Sequence, residues 1–499
     1  MAKSNNYFII ELKLNTNKND LAILSKRFLL AEKMYNKTLK FALIQLKRMR
    51  ENKIYKQTLN KYFEYKRLND KDNIKLYSDL LNSIRLSYSL SEYQLHSFIK
   101  VQQNMYKKHI DSNTSQKIAT TVWKAIQDVL YNKGKKVHFK KYNTLTSLEG
   151  KTNKTGIRFI DNKLSWNKIN IPIKIRKNDL FIQESLENNK IKYCRIIRKS
   201  FKCGYKYFIQ LVMEGIPPTK RRNDGSFRHT THTNNKVGID IGTSTIAVCS
   251  KDNLLLEELS PKSKEYDKRI NYLLRKLDRS KRSMNPSNFN LDGTIKKGIK
   301  LKWVHSNNYI KTLFELKNLY RLKANYIKLS HNRLSNKILS YGTNIYVEKM
   351  NFKALQKRSK ETTISSKTGR YNKKKRFGRS LTNKAPSMLL SIIERKLNYE
   401  NKVLNKVNTI TFKASQYNHV EDKYIKKNLN KRWNIINGEK IQRDLYSSFL
   451  IMNSKENLKE TDRNECIKTY DSFRIKHNKL INEMINNKVK YPQSFGIIK

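Results

Sequence analysis

Three acidic residues, far apart in the chain, have neighbours that suit them to metal-dependent chemistry. The first is Asp240, in Val-Gly-Ile-Asp-Ile-Gly (237–242). Val237, Ile239 and Ile241 alternate onto one face of a predicted strand, so Asp240 projects to the other. Gly238 and Gly242 flank it, and such small neighbours leave room for a metal and a phosphate to approach. A carboxylate in so apolar a strand is costly without a cation or donor beside it. The second is Glu348, which ends the short apolar run from Asn344 in Asn-Ile-Tyr-Val-Glu-Lys-Met-Asn-Phe (344–352). The third is Asp444, in Lys-Ile-Gln-Arg-Asp-Leu-Tyr-Ser-Ser-Phe-Leu (440–450), where it opens a helix carrying Leu445, Phe449 and Met452. Singly, each has an ordinary reading. Glu348 fits a surface position at a strand end, and Asp444 fits a helix start, where the macrodipole favours an acid. Taken in order, strand Asp, strand Glu and helix Asp form a set able to hold two Mg²⁺ ions through hard oxygen ligands. Two such ions about 3.5–4 Å apart activate a water and stabilise the leaving oxygen in phosphodiester cleavage.

The charge balance points to the same kind of substrate. The 499 residues hold 105 Lys and Arg against 41 Asp and Glu, a formal net charge of +64. Such an excess repels itself unless an anionic partner neutralises it. A polyphosphate chain is the natural partner, and binding through phosphates weakens steeply as salt rises. Apolar residues make up 38% and aromatics 10%, enough to build cores, so a disordered polycation is excluded. No run of eighteen apolar residues offers a membrane span, and Met1 to Tyr7 lacks the apolar stretch of a signal peptide. A cytoplasmic, nucleoid-associated protein with no membrane partner is expected. The four cysteines, Cys194, Cys203, Cys249 and Cys466, form no CxxC pair. That argues against a disulfide framework and a cysteine-built zinc site. Cys194 and Cys203 lie in strand-like sequence and read as packing residues.

The elements that must position the three acids can be outlined. Residues 6 to 14 read as a strand, and Asp20 as a helix N-cap. Leu24, Phe28, Ala31, Tyr35, Leu39, Ala42 and Leu46 then recur at steps of three and four, making one apolar helical face. Helical sequence continues to about Asn132. After Gly134 the texture turns to strands. Ile169, Ile171, Ile173 and Ile175 hold every second position, and Tyr205 to Met213 closes the region. The N-terminal strand is able to join this sheet, leaving the helices as an insertion. Residues 216 to 235, with Pro217, Pro218 and Gly225, read as a linker, and its His229 and His232 as solvated. Beyond Lys236 come two strands, long helices from about Lys264 to Leu339, and the Glu348 strand. The last of those helices carries Leu313, Leu316, Tyr320, Ala324, Ile327, His331, Leu334 and Ile338 on one face, which makes His331 a core residue. Residues 355 to 384 are basic and poor in apolar groups, and read as a loop that orders on nucleic acid. A helix over 386–405, a strand near 408–413 and a final helical region complete the outline.

Several stretches together resemble the TnpB proteins of insertion sequences. Val-Gly-Ile-Asp-Ile-Gly-Thr-Ser is similar to their first RuvC motif, Val-Glu-Lys-Met-Asn to the second and Gln-Arg-Asp-Leu to the third. His-Asn-Arg-Leu-Ser-Asn-Lys-Ile (331–338) resembles the helix before the glutamate strand. Ala-Ser-Gln (414–416) resembles the stretch before a zinc knuckle, and Gly-Lys-Lys-Val-His-Phe-Lys (134–140) the start of a wedge domain. The resemblance implies an α+β multidomain protein. An RNase H-like (RuvC) nuclease domain is expected over 236–413 and 439–499. A β-barrel-like wedge domain is expected over 1–14 and 133–215, with a helical recognition domain inserted over 15–132. The linker at 216–235 and a knuckle-like insert at 414–438 complete this division. It implies catalysis by Asp240, Glu348 and Asp444 with two Mg²⁺ ions, for which Mn²⁺ is able to substitute. It implies a guide RNA and double-stranded target DNA as partners, with base pairing setting the target and the protein reading a short adjacent motif. A monomer is expected. Lys135, Lys136, Lys140, Lys141, Lys373, Lys374, Lys375 and Arg376 are the expected nucleic-acid contacts.

Two departures stand out. Where the family carries two CxxC pairs this chain has Asn418 and Glu421, then Asn434 and Asn437. No structural zinc is therefore expected, and Trp433, Tyr417 and Tyr424 are candidates to replace it by packing. A site from His419 and Glu421 is the alternative. Tyr446 stands where many relatives have Asn. Other functions remain open at this point: a nuclease-silent, RNA-guided DNA-binding repressor, a strand-transfer transposase, or an actin-like kinase, which also begins on Asp-Ile-Gly-Thr.

Overall fold

The computed structural model describes residues 6–497 apart from 132, 177, 222–225, 227–231, 367, 373, 375, 376, 427, 429 and 488. The chain divides into two compact units, Met1–Arg221 and Arg222–Lys499.

The first unit begins with β1 (Tyr7–Leu14), followed by helices α1 (Lys18–Glu51), α2 (Lys53–Leu68), α3 (Lys71–Ser87), α4 (Glu92–Met105) and α5 (Ser112–Leu130). The chain then returns through β2 (Ser147–Glu149), β3 (Arg158–Ile160), β4 (Lys163–Trp166), β5 (Ile169–Lys174), α6 (Leu180–Asn188), β6 (Ile191–Phe201) and β7 (Gly204–Glu214). The seven strands form one antiparallel sheet in the order β2-β6-β7-β1-β5-β4-β3. The N-terminal strand does join it, between β7 and β5, and five helices are inserted between β1 and β2. The sheet is open, with β2 and β3 at its ends, so it is less than the barrel expected. All seven apolar residues forecast along α1 are buried. Its N-cap is Asn17, however, not Asp20. Asp20 is the third helical residue, and the two exchange side chain-to-backbone bonds in a capping box. Cys194 is buried in β6, but Cys203 is exposed in the tight turn before β7, so only the former packs.

The second unit holds the three acids. Its strands are β8 (Lys236–Ile241), β9 (Thr245–Ser250) and β10 (Leu254–Glu258), followed by α7 (Glu265–Met284), α8 (Asn307–Tyr341) and β11 (Asn344–Glu348). Next come α9 (Phe352–Leu355), α10 (Gly378–Lys384), α11 (Pro386–Tyr399), β12 (Asn405–Val407) and α12 (Thr409–Phe412). Two hairpins, β13 (Tyr417–Asn418) with β14 (Lys423–Tyr424) and β15 (Trp433–Ile436) with β16 (Glu439–Gln442), lead into α13 (Arg443–Met452) and α14 (Arg463–Asn486). The strand forecast at 408–413 is instead a helical turn. Asn408 caps it by accepting from the Ile410 N–H.

The five-stranded sheet has the order β10-β9-β8-β11-β12, antiparallel across the first three strands and parallel from β8 through β11 to β12. Period-two alternation sorts its side chains. Val237, Ile239, Ile241, Ile246, Val248, Ile345 and Val347 pack with Leu334 and Ile338 of α8 and Leu389 and Ile393 of α11. Ala247, Cys249, Leu256, Tyr346 and Val407 face the other way, onto Phe449 and Met452 of α13 and Phe473 of α14. The sheet is thus a middle layer between two helical layers. His331 is fully buried, its Nε2 against the Lys384 carbonyl at 2.8 Å. The α8 face differs from the forecast at one place: Lys323 is buried, while Tyr320 and Ala324 are exposed. An ion pair with Asp267 explains it.

Candidate active site

Asp240 has the same strand parity as Gly238, and Gly238 lies directly under α13. A Cβ on Gly238 would fall 2.1 Å from the Ser448 carbonyl oxygen and 2.3 Å from the Met452 nitrogen. This glycine is needed for close helix packing, not to clear space for a ligand, which corrects the expectation from sequence. Asp240 is therefore on the face that α13 covers. Glu348 shares that face, because it has the parity of Tyr346 and not of Val347. The parallel register pairs Val347 with Ile239, which sets Glu348 beside Asp240 one step on, where both strands end.

Asp444 comes from the helix. Strand β16 runs straight into α13, so the hairpin fixes where that helix starts. Gln442 caps it, its side chain accepting from the Leu445 N–H at 2.7 Å. Asp444 lies in the first turn, where the helix dipole favours a negative charge. The other two carboxylates both act electrostatically on Asp240. Burial, then the charges of Asp444 and Glu348, hold its carboxyl well above the usual range, and Arg443 offsets part of this. Burial also raises Glu348. Neither shift involves a hydrogen bond.

Arg443 was not singled out in the sequence, although it sits inside the third motif. Its Nε and Nη2 donate to Asp444 Oδ1 at 3.1 and 3.0 Å. Among the described residues no three His, Cys, Asp or Glu side chains gather into a ready metal-binding group. The donor chemistry nonetheless fits a hard divalent cation. The acids that act on Asp240 offer carboxylate oxygens, and a cation would relieve the repulsion that raises it.

The insert before α13 is built from packing. Asn418 and Asn434 are buried, and Asn418 donates to Glu421 at 2.9 Å. His419 is buried against Tyr446. Its N–H donates to the Tyr446 hydroxyl oxygen at 3.2 Å, and its Nδ1 lies 2.7 Å from the same oxygen. Its ring meets Tyr470 and Phe449 at 4.8 and 5.9 Å. Burial, helped by Arg463, lowers the imidazole to about 4. The Tyr446 departure thus contacts the insert through His419, next to Asn418. Of the aromatic residues expected to take over the packing, Tyr417 lies tilted against Tyr424 with ring centroids 4.9 Å apart, and the Trp433 ring N–H donates to the Gly496 carbonyl.

The expected basic contacts are spread more widely. Lys135, Lys136, Lys140 and Lys141 belong to the first unit and are exposed. The Asn36 side chain pins the backbone of Lys140 with two 2.8 Å bonds. Lys374 is exposed, its carbonyl accepting from the Ser359 N–H, while Lys373, Lys375 and Arg376 lie outside the described residues. His232 pairs with Glu400, and His229 is outside the described residues.

No protein-family model matches the chain, and no curated protein does. Among solved structures, a cryo-EM structure of a Cas12f1–sgRNA–target DNA complex superposes with a TM-score of 0.44 at 10% identity, covering 90% of this chain and 99% of that one. A CRISPR–Cas12f ternary complex gives 0.26 at 11% identity, with 88% and 82% covered. No helix among the described residues is long and apolar enough to cross a membrane.

Proposed function

We propose that the chain is an RNA-guided DNA endonuclease of the TnpB kind, cutting with an RNase H-like site of Asp240, Glu348 and Asp444. One observation carries the nuclease reading. Two acids stand at or next to the ends of adjacent parallel strands on the face covered by α13, that helix brings a third, and Asp240 feels both of the others. A buried cluster of like charges destabilises a fold by itself and becomes favourable when a divalent cation joins it. The strand order, three antiparallel strands and then two parallel ones, supports the RNase H-like assignment. RNA guiding is the finer part of the proposal, and rests on the sequence resemblance and the +64 charge.

In this mechanism Asp240, Glu348 and Asp444 would hold Mg²⁺, which supplies water activation and stabilisation of the leaving 3′ oxygen when bound. Asp240 and Glu348 offer their oxygens from fixed strand ends, so little reorganisation is needed on their side. Asp444 is oriented by the start of α13 and by Arg443. The guanidinium lowers the local negative charge and is able to turn towards a phosphate oxygen, which it binds well.

The test is direct. The RNA that copurifies is sequenced, and a plasmid carrying the matching sequence is offered to the complex with Mg²⁺. Cutting that is lost with a chelator and in Asp240→Ala is the expected result. The Arg443–Asp444 ion pair favours a second reading, a nuclease-silent RNA-guided DNA-binding repressor. Tight, guide-dependent binding to a plasmid that stays intact would select it.

A further inference from the structure

We propose that His477, as the neutral imidazole with its proton on Nδ1, is a positioning residue for Asp444. The inference rests on the reading of Asp444 as a site residue. Its geometry runs through Gln442, which is wholly buried and begins the helix. The Gln442 backbone N–H donates to His477 Nε2 at 2.9 Å, in a buried bond between α14 and the end of β16. A backbone N–H only donates, so Nε2 must be the bare acceptor. On the other edge of the ring, Nδ1 faces the Asn478 side-chain oxygen at 2.9 Å, an acceptor that calls for a proton there. The two bonds agree on one tautomer.

That acceptor fixes the residue that caps the helix. The Gln442 backbone is tied down by His477, and its side chain caps α13 at Leu445, bracketing Asp444 between two fixed points. The Leu445 N–H also fixes the orientation of the Gln442 amide, whose buried Nε2 finds no partner among the described residues. The His477 ring is itself walled in, by Trp433 edge-on at 6.3 Å and Phe473 at 5.9 Å. Rotation away from Gln442 would have to displace both. Groups hydrogen-bonded to a metal ligand typically change metal affinity or activity about 10- to 100-fold when removed, and His477 acts one step further out, through the Gln442 backbone.

The experiment compares His477→Phe with His477→Gln in the full chain carrying its RNA. Phe keeps the ring volume and removes the acceptor. Gln restores an acceptor, because its side-chain oxygen reaches as far as Nε2. Three measurements are made: the cleavage rate of matched plasmid, Mg²⁺ or Mn²⁺ affinity by titration, and amide exchange of the 440–446 segment. The expectation is that Phe lowers both rate and metal affinity about tenfold, and speeds exchange at Gln442, while DNA binding is unchanged. Gln recovers to within about threefold of wild type. Equal losses in both variants would mean that ring packing, not the acceptor, matters, and would overturn the proposal. Wild-type exchange and metal affinity in His477→Phe would overturn it as well. If wild type does not cut at all, the nuclease reading fails separately, and exchange and metal affinity still decide the role of His477.

Discussion

Two partly buried aspartates in the second unit, Asp240 and Asp267, show opposite solutions to the same problem. Burial pushes both carboxyls up. At Asp267, hydrogen bonds from Lys323, Asn383 and Arg379 more than reverse this, and the group ends below its ordinary range. Lys323 Nζ lies 2.6 Å from one oxygen, while the Asn383 amide and Arg379 reach the other at 2.9 and 3.1 Å. At Asp240 the neighbours are two more carboxylates, and they add to the penalty. A chain with 105 cationic side chains has ample means to neutralise a buried acid. It does so where the acid is structural, tying α10 to α7 and α8. At Asp240 only Arg443 works against the rise, and the carboxyl stays well above its ordinary range. That contrast is stronger ground for a cation site than any one of the acids taken alone.

The largest effect that tests the contrast is Asp240→Asn. Loss of a metal-holding carboxylate should reduce guided cleavage at least about a thousandfold, because several kcal/mol of transition-state stabilisation go with it. RNA and DNA binding, followed by gel shift, should be unchanged. The same variant should melt higher than wild type in metal-free buffer, since it removes a repelled charge. Adding Mg²⁺ should raise the melting temperature of wild type but not of the variant. A variant that melts lower would mean that Asp240 holds the fold together and that the contrast is false.

Asp267→Ala should act in the reverse sense. It strands Lys323, whose side chain is only 10% exposed, without its partner. Breaking such a pair costs about 3 kcal/mol of stability, measurable by denaturant unfolding. Changing Lys323 to Met as well should recover much of the loss. The two acids should also differ in pH dependence. Asp267 has a lowered value, so its stabilisation is present above the unfolded carboxyl value and fades as pH falls through the folded one. Asp240 has a raised value, so metal-free wild type should lose stability relative to Asp240→Asn as pH rises from about 4 through that raised value. Melting curves of both variants against wild type across that range should slope in opposite directions.

How much of this could be read beforehand depended on whether the signal was local. The face of β8 was legible because period-two alternation needs only six residues, and the α1 stripe because helical periodicity runs through seven apolar positions. The three acids were legible by residue type and neighbours. Their convergence was not, since it depends on the β8–β11 register and on α13 lying against Gly238. Lys323 was missed because a lysine on an apolar stripe reads as a break in the pattern, and its partner lies 56 residues away. One miss was avoidable. Asn437 and Gly438 both have positive φ, 48° and 77°, and join Ile436 to Glu439 in a two-residue hairpin. Asn-Gly is the strongest short hairpin signal, and here it sets the strand that feeds α13. His477 carried no such signal, because its partner is a backbone N–H.

The smallest predicted effect concerns a third way of burying polar groups, the neutral pair of His419 and Tyr446. No formal charge is involved, so the comparison with Asp240 and Asp267 predicts a modest cost when it is broken. Tyr446→Phe keeps the ring among Phe449 and the aromatic residues of α14, and removes only the hydroxyl. It leaves the buried His419 Nδ1 and backbone N–H without that partner, which should cost about 1–2 kcal/mol. The loss should be seen in unfolding and should leave the matched-plasmid rate within about threefold of wild type. Chelators should not lower the melting temperature of either protein, because the insert is held by Tyr446, His419 and their neighbours. A fall on chelation in wild type would show instead that a metal holds the insert. A large loss of cutting in Tyr446→Phe would place the hydroxyl among the groups that position Asp444, two residues before it on the same helix.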